Sequence, residues 1–161
     1  IQWAPVDPTY ITSFAWTPSN VATARINGFE SSIATEVMGW QVNTAITFLD
    51  PRNRSNGNVL NLRAKRTINI DLSHDYGVID VGVTWLAQSS RFDDPANTAE
   101  IGGYGIVNVR AGYELNDEVK LNLKVNNLFD NNYHTGIHTQ LGKYQTEGTG
   151  AFLSVVYTPA L

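Results

Sequence analysis

The stretch Val119–Asn126, VKLNLKVN, sets apolar residues on odd positions against polar ones on even positions. A period of two puts successive side chains on opposite faces of an extended strand, so one face is apolar and the other polar. The same period returns in Ile68, Ile70 and Leu72 against Asn69, Asp71 and Ser73. It returns again in Ile79, Val81, Val83, Trp85 and Ala87 against Asp80, Gly82, Thr84 and Gln88. Val107, Val109, Ala111, Tyr113 and Leu115 likewise face Asn108, Arg110, Gly112 and Glu114. Helical periodicity is hard to find anywhere. The chain reads as all-β, and what matters is which solvent each face meets.

Strands are expected at residues 20–37, 40–50, 62–75, 78–90, 104–115, 118–129 and 147–158, with Ile1-Gln2-Trp3 as the tail of an eighth. The first long strand should bend near Gly28, where the alternation loses phase. Residues 4–19 form a loop rich in Pro and aromatics. The connections alternate strictly in length. Met38-Gly39, Asp75-Tyr76-Gly77 and Asn116-Asp117 are tight turns, whereas PRNRSNGNVLN (51–61), FDDPANTAEIGG (92–103) and residues 130–146 are long loops. One antiparallel up-and-down meander would gather every short turn at one rim and every long loop at the other. Outer-membrane barrels have that asymmetry.

Composition narrows the choice of solvent. With 161 residues the chain suffices for a single unit, 1–161, and its net charge of −4 and pI near 5.2 leave no basic footprint for nucleic acid. It has no cysteine, hence no disulfide frame, thiol nucleophile or Cys-based metal site. No run of about 18 apolar residues occurs, which excludes a transmembrane helix and says nothing against a barrel. Strands of about 10–14 residues suit a tilted membrane span better than a sandwich, whose strands average about 5–6. Trp40, Tyr76, Tyr113 and Tyr157 fall beside the short turns, where a lipid-facing girdle wants an apolar ring with a polar handle. These features favour the wall of a transmembrane barrel. The alternative is a soluble β-rich adhesion or carbohydrate-binding module using Trp16, Tyr10 and Phe14 as a stacking platform.

Candidate chemistry is sparse. His134 and His138 have a metal-like spacing but lie in a Gly-containing loop with no third ligand nearby. Asp93, Asp94 and Glu100 lack the spacing of a dedicated calcium loop and read as a solvated acidic loop. The Gly102-Gly103 and Gly148-x-Gly150 clusters follow no β–α pattern and read as bends. No catalytic constellation, metal site or cofactor is suggested. Arg63, Lys65 and Arg66 sit where a long loop returns to a strand, with Arg91 and Phe92 at the matching end of another. Of the polar groups on or beside long loops, Arg63, Arg91, Tyr133 and Tyr144 are the candidate binders of a polar small molecule.

The segment VNNLFDNNY at 125–133 resembles the N-L-F-D-x-x-Y motif near the C-terminus of TonB-dependent outer-membrane receptors. The strand ARINGFE at 24–30, Leu49-Asp50 ending a strand, Leu62-Arg63-Ala64-Lys65 opening the next, and Tyr144-Gln145-Thr146 before the last also resemble the family. The resemblance covers most of the chain and is closest to the cobalamin (vitamin B12) receptors, with ferric-siderophore receptors as the alternative. It implies a barrel of about 22 strands around an N-terminal plug. Such a receptor sits in the outer membrane of a Gram-negative bacterium and takes up a scarce nutrient with energy from TonB. It is not an enzyme. This chain would supply seven strands and part of an eighth. The plug and TonB-contacting box would lie elsewhere, as the opening on Ile1 without Met or signal peptide also suggests. One departure is that Tyr157 is followed by Thr-Pro-Ala-Leu, where such barrels usually end on an aromatic residue. The motif itself should be architectural: Leu128 and Phe129 anchor the strand end, and the Asn/Asp cluster supplies local bonds and left-handed conformations for a sharp exit.

Overall fold

The structure, a computed structural model, describes residues 2–5, 16–19, 23–138 and 142–160. The strands are β1 (Gln2–Pro5), β2 (Trp16–Ser19), β3 (Ala24–Val37), β4 (Trp40–Asn53), β5 (Arg66–Asp75), β6 (Ile79–Gln88), β7 (Arg91–Phe92), β8 (Glu100–Ile101), β9 (Tyr104–Asn116), β10 (Val119–Asn126), β11 (His134–His138), β12 (Gly142–Gln145) and β13 (Gly150–Tyr157). Seven of them form one antiparallel sheet in the order β13-β10-β9-β6-β5-β4-β3. Three further pairs, β1-β2, β7-β8 and β11-β12, are small sheets of their own. The expected meander is present, and no helix occurs among the described residues.

The register explains the sequence pattern. Val81 pairs with Ala111, Ala111 with Leu123, and Leu123 with Leu153, so one row of one face runs across four strands. Val83, Val109 and Val125 make the next row. Phe29, Ile33, Ile46, Phe48, Ile70 and Trp85 continue the same face through β3 to β6. No second layer packs on it among the described residues, and Leu123 and Leu153 are 43% and 71% exposed. A soluble sandwich would have buried them. Instead the buried apolar residues, Pro51, Val59, Ala64 and Ile101, all lie at the long-loop rim, away from the middle of the sheet.

Several boundaries differ from expectation. The main sheet holds seven strands; Gln2–Pro5, expected as part of an eighth, pairs with Trp16–Ser19 from the presumed loop. Residues 20–22, expected to open the first long strand, and Tyr10 and Phe14 of the stacking platform lie outside the described residues. No bulge interrupts the pairing at Gly28: β3 and β4 pair without a break from Ala24–Asn53 to Val37–Trp40. The loss of phase marks an exchange of polarity between the faces, since Asn27 and Asp50 follow Phe29 and Phe48 on the apolar side while Ile26 and Pro51 take the polar side. Residues 62–65 belong to the loop, where Leu62 has φ 56°. β10 stops at Asn126 because Asn127 turns left-handed, at φ 50°.

All short turns sit at one rim. Met38 and Gly39 have φ of 52° and 82°, the pair of positive values that a two-residue hairpin twisting with its strands requires. Asp75 accepts a 2.7 Å hydrogen bond from the Gly77 N–H. Asn116 Oδ1 accepts from the N–H groups of Glu118 and Val119, at 3.0 and 2.9 Å.

Candidate functional site at the long-loop rim

At the other rim the three long connections knit into one hydrogen-bonded layer. Asn97, left-handed at φ 62°, accepts from the Val59 N–H at 2.7 Å and donates to the Val59 carbonyl at 2.9 Å, imitating a strand partner. Leu62 N–H donates to the Phe92 carbonyl at 2.7 Å, tying residues 54–65 to residues 89–103. On the other flank the Ile137 N–H donates to Asp93 at 3.1 Å. Arg91 donates to the Thr135 carbonyl at 2.9 Å and to Gln88 at 2.7 Å.

The NLFD segment is a latch in this layer. Asn127 is 4% exposed; its amide donates to the Asn131 carbonyl at 2.9 Å and accepts from the Asn131 N–H at 3.0 Å. Its carbonyl accepts from the Thr149 hydroxyl at 2.7 Å, and Asp130, at φ 52°, accepts from the Thr149 N–H at 3.0 Å. Asn131 reaches the Gly105 carbonyl at 2.6 Å. The motif therefore closes the return of β10 toward β13 onto the end of β9. The left-handed residues expected of its Asn/Asp cluster are Asn127 and Asp130. Leu128 and Phe129 stand exposed beside them.

Beneath the latch, on the polar face, lies a cleft of about 540 Å³ lined by Ile106, Asn108, Asn126, Tyr133, Gln145 and Glu147, among others. Tyr133 stacks on Tyr104 with ring centroids 4.2 Å apart. Asn126 and Gln145 side chains make no hydrogen bond among the described residues, so their amides are open to a ligand. The lining contains no lysine or arginine. The cleft suits a neutral, amide-bearing surface better than an anion.

The four candidate binders separate. Tyr133 lines the cleft. Tyr144 is exposed on β12 beside Gly136 and is not in the lining. Arg63 is exposed on the rim with no hydrogen bond or ion pair among the described residues. Arg91 is 8% exposed and its guanidinium is engaged by Gln88 and Thr135, so it braces the loops. Asn108, Asn126 and Gln145 were not singled out from the sequence, because isolated Asn and Gln at strand ends carry no distinguishing signal there.

The remaining chemistry is structural. Burial pushes the Asp94 carboxyl up, but the N–H groups of Ala99 and Thr98 and the Thr98 hydroxyl outweigh it and hold it below the usual carboxylate range. Asp93 and Asp94 are thus loop fasteners and not a merely solvated acidic run. No three His, Asp or Glu side chains converge as a metal site among the described residues. At the short-turn rim Trp40, Tyr113 and Tyr157 fall on the apolar face, with Tyr76 in the adjoining turn. Trp40 stacks on His74 at 5.2 Å, and His74 meets Tyr76 edge-on at 4.1 Å. His74 also bonds the Gly39 carbonyl. Its membership in this cluster was legible only as the polar end of the Ile68-Ile70-Leu72 alternation.

On the polar face, ion pairs cross glycines. Arg110 on β9 reaches over Gly82 on β6 to Asp71 on β5, and Lys120 on β10 reaches over Gly112 to Asp80, 2.7 Å away. At either glycine a Cβ would collide with the crossing side chain or its partner.

Comparison with known proteins places this architecture. Residues 1–128 match the family described as TonB dependent receptor-like, beta-barrel. The vitamin B12 transporter BtuB of Vibrio vulnificus is 31% identical over 160 residues, 98% of this chain and 25% of the transporter. The siderophore receptor PiuA of Acinetobacter baumannii superposes with a TM-score of 0.77 at 24% identity, over 96% of this chain and 24% of that one. The ferripyoverdine receptor of the outer membrane of Pseudomonas aeruginosa gives 0.70 at 21% identity, over 97% and 23%. The chain thus spans about a quarter of the length of the relatives it matches.

Proposed function

Since this chain belongs to the family of TonB-dependent receptor-like β-barrels of the Gram-negative outer membrane, we propose that it is a wall segment of a receptor importing cobalamin. Its apolar face meets lipid, and Trp40, Tyr76, Tyr113 and Tyr157, joined by His74, form the girdle at the short-turn rim. Its polar face looks into the lumen, toward the plug. TonB would engage a part of the receptor outside this chain. The rest of the barrel completes the two edges, β3 and β13.

One observation carries the choice of ligand. The cleft under the NLFD latch offers the free amides of Asn126 and Gln145 and the stacked Tyr133, with no cation in its lining. A corrinoid is large, nearly neutral and fringed with amides, so complementary amide pairs can satisfy it without an ion pair. A ferric siderophore that carries net negative charge would call for lysine or arginine. The second reading, a ferric-siderophore receptor, is favoured by the exposed Arg63 at the rim and by the likeness to the siderophore receptors above.

Equilibrium binding on the full-length receptor tests the choice. Cyanocobalamin should bind, and Asn126→Ala with Gln145→Ala should weaken it about tenfold, as for one or two lost hydrogen bonds of about 1 kcal/mol each. Arg63→Ala should then matter little. A receptor that binds ferric siderophore and no corrinoid, with Arg63→Ala weakening that binding, would replace the cobalamin reading by the second.

A further inference from the structure

Of the 11 lysines and arginines, Arg25, Arg52, Arg54, Lys65 and Arg66 gather at one corner of the sheet, in a chain whose net charge is −4. The register shows which side they take. Phe29, Phe48 and Arg66 form one row across β3, β4 and β5 on the apolar face. Two residues nearer the long loops Asn27 pairs with Asp50, and two further on Arg25 pairs with Arg52. The face that carries Ile33, Ile46, Phe29 and Phe48 therefore turns cationic at its upper edge. Arg54 shares a concavity with Arg25, Asp50 and Arg52, and Lys65 shares the adjoining one with Phe29, Phe48, Asp50 and Arg66.

Asp50 is the one carboxylate in these two concavities. It accepts a 2.7 Å hydrogen bond from Arg52 Nε, and Arg52 also donates to the Gly57 carbonyl at 3.1 Å. The side chains of Arg25, Arg54 and Arg66 make no hydrogen bond or ion pair among the described residues. At the opposite rim the charges are acidic: Glu36, Asp75, Asp117 and Glu118 flank the short turns.

We propose that this corner binds a phosphorylated glycolipid of the outer leaflet, its acyl chains against Phe29 and Phe48 and its phosphates on Arg25, Arg52 and Arg66. The proposal rests on the lipid-facing assignment of the apolar face made above. The spacing suits it. Four residues of strand rise about 13 Å, or about 10 Å along the membrane normal at a tilt near 45°. Arg25 and Arg52 thus stand one headgroup layer above the aromatic pair, and Arg66 stands at the acyl boundary. Guanidinium forks match phosphate oxygens, and arginine is the more weakly hydrated of the two cationic side chains.

The full-length receptor, purified in detergent and stripped of lipid, is titrated with bis-phosphorylated lipid A and with its fully dephosphorylated derivative, bound lipid being counted by native mass spectrometry. The phosphorylated form should bind at least about tenfold more tightly, the scale of a charge-assisted hydrogen bond or two. The triple variant Arg25→Gln/Arg52→Gln/Arg66→Gln should lose most of that preference, and Lys124→Gln on the polar face should keep it. If the triple variant does not assemble, Arg25→Gln and Arg66→Gln singly should each reduce the preference about threefold. Heat-modifiable gel mobility reports assembly separately. Equal binding of the two lipids by the assembled wild-type receptor overturns the proposal and leaves the membrane reading intact; an assembled receptor that takes up neither lipid overturns both. Displacement of lipid A by millimolar pyrophosphate alone would identify a free-anion site and also overturn it.

Discussion

Arg110 on β9 holds Asp71 on β5 through two hydrogen bonds of 2.7 and 2.9 Å, reaching over an entire intervening strand at Gly82. The hydroxyl of Thr84 donates to the same carboxylate at 2.6 Å. Glycine leaves room for the guanidinium, so a side chain at residue 82 would compete with the ion pair for the same space. Gly82→Val should therefore cost about 1–3 kcal/mol, as overpacking does. Arg110→Ala alone should cost about 1 kcal/mol, because the guanidinium keeps solvent contact and Asp71, only half-buried, retains the Thr84 hydroxyl. In Arg110→Ala the valine should become nearly harmless. A double-mutant cycle by urea unfolding of the full-length receptor in lipid vesicles checks this; strictly additive effects would show that the two sites do not share the space.

The latch gives a second expectation. Asn127→Ala removes two side-chain hydrogen bonds and leaves at φ 50° a residue that tolerates the left-handed region less well than asparagine. Together these should cost about 2–3 kcal/mol locally. Asn127→Gly should relieve the backbone part and lose only the hydrogen bonds. Hydrogen exchange of residues 130–138 and 142–149 in the receptor should rise most in the alanine variant, less in the glycine variant.

Arg91→Ala should behave as a loop-bracing change. It leaves the Thr135 carbonyl and Gln88 without their partner at a site 8% exposed. Exchange should increase in both residues 89–103 and residues 134–138, while Arg63→Ala leaves both unchanged. Equal exchange in the two variants would mean that Arg91 does not tie the loops.

Asp94 sets a pH dependence. Its folded carboxyl lies below its ordinary value, so the bonds it accepts from Thr98 and Ala99 contribute stability that is full above the unfolded value, near about 3.9. That contribution falls away as pH drops through the folded value. Protection of the Thr98 and Ala99 amides, corrected for intrinsic exchange, should hold from neutral pH to about 4 and decline below it. Asp94→Asn should remove the decline.

Much of this was legible in the sequence because a period of two reports the faces directly. Val81, Val83, Val107, Val109, Leu121, Leu123 and Leu153 do share one face, and Asp80, Arg110, Lys120 and Lys124 the other. The tight turns at Met38-Gly39, Asp75–Gly77 and Asn116-Asp117 do share one rim. What local pattern does not carry is partnership over distance. Arg91 reads as an exposed rim charge until Thr135, far along the chain, is seen to bond it. Gly28 reads as a bend because alternation inverts there, yet the strand pairing runs on unbroken and the surroundings change polarity. The open amides of Asn126 and Gln145 meet only when the latch brings residues 127–133 and 145–149 back toward the end of β9.

The central claim is that the unpartnered apolar face meets lipid, and β10 tests it most directly. The chain has no cysteine, so any native thiols in the rest of the receptor are replaced first. Single cysteines at Leu121, Asn122, Leu123, Lys124 and Val125 of that receptor, in vesicles, can then each carry a nitroxide. Labels at Leu121, Leu123 and Val125 should show high collision with oxygen and low collision with a water-soluble nickel chelate. Labels at Asn122 and Lys124 should show the reverse, a period of two. Equal access of the nickel chelate to all five positions, or burial of Leu123 and Val125 from both reagents, would contradict a lipid-facing wall.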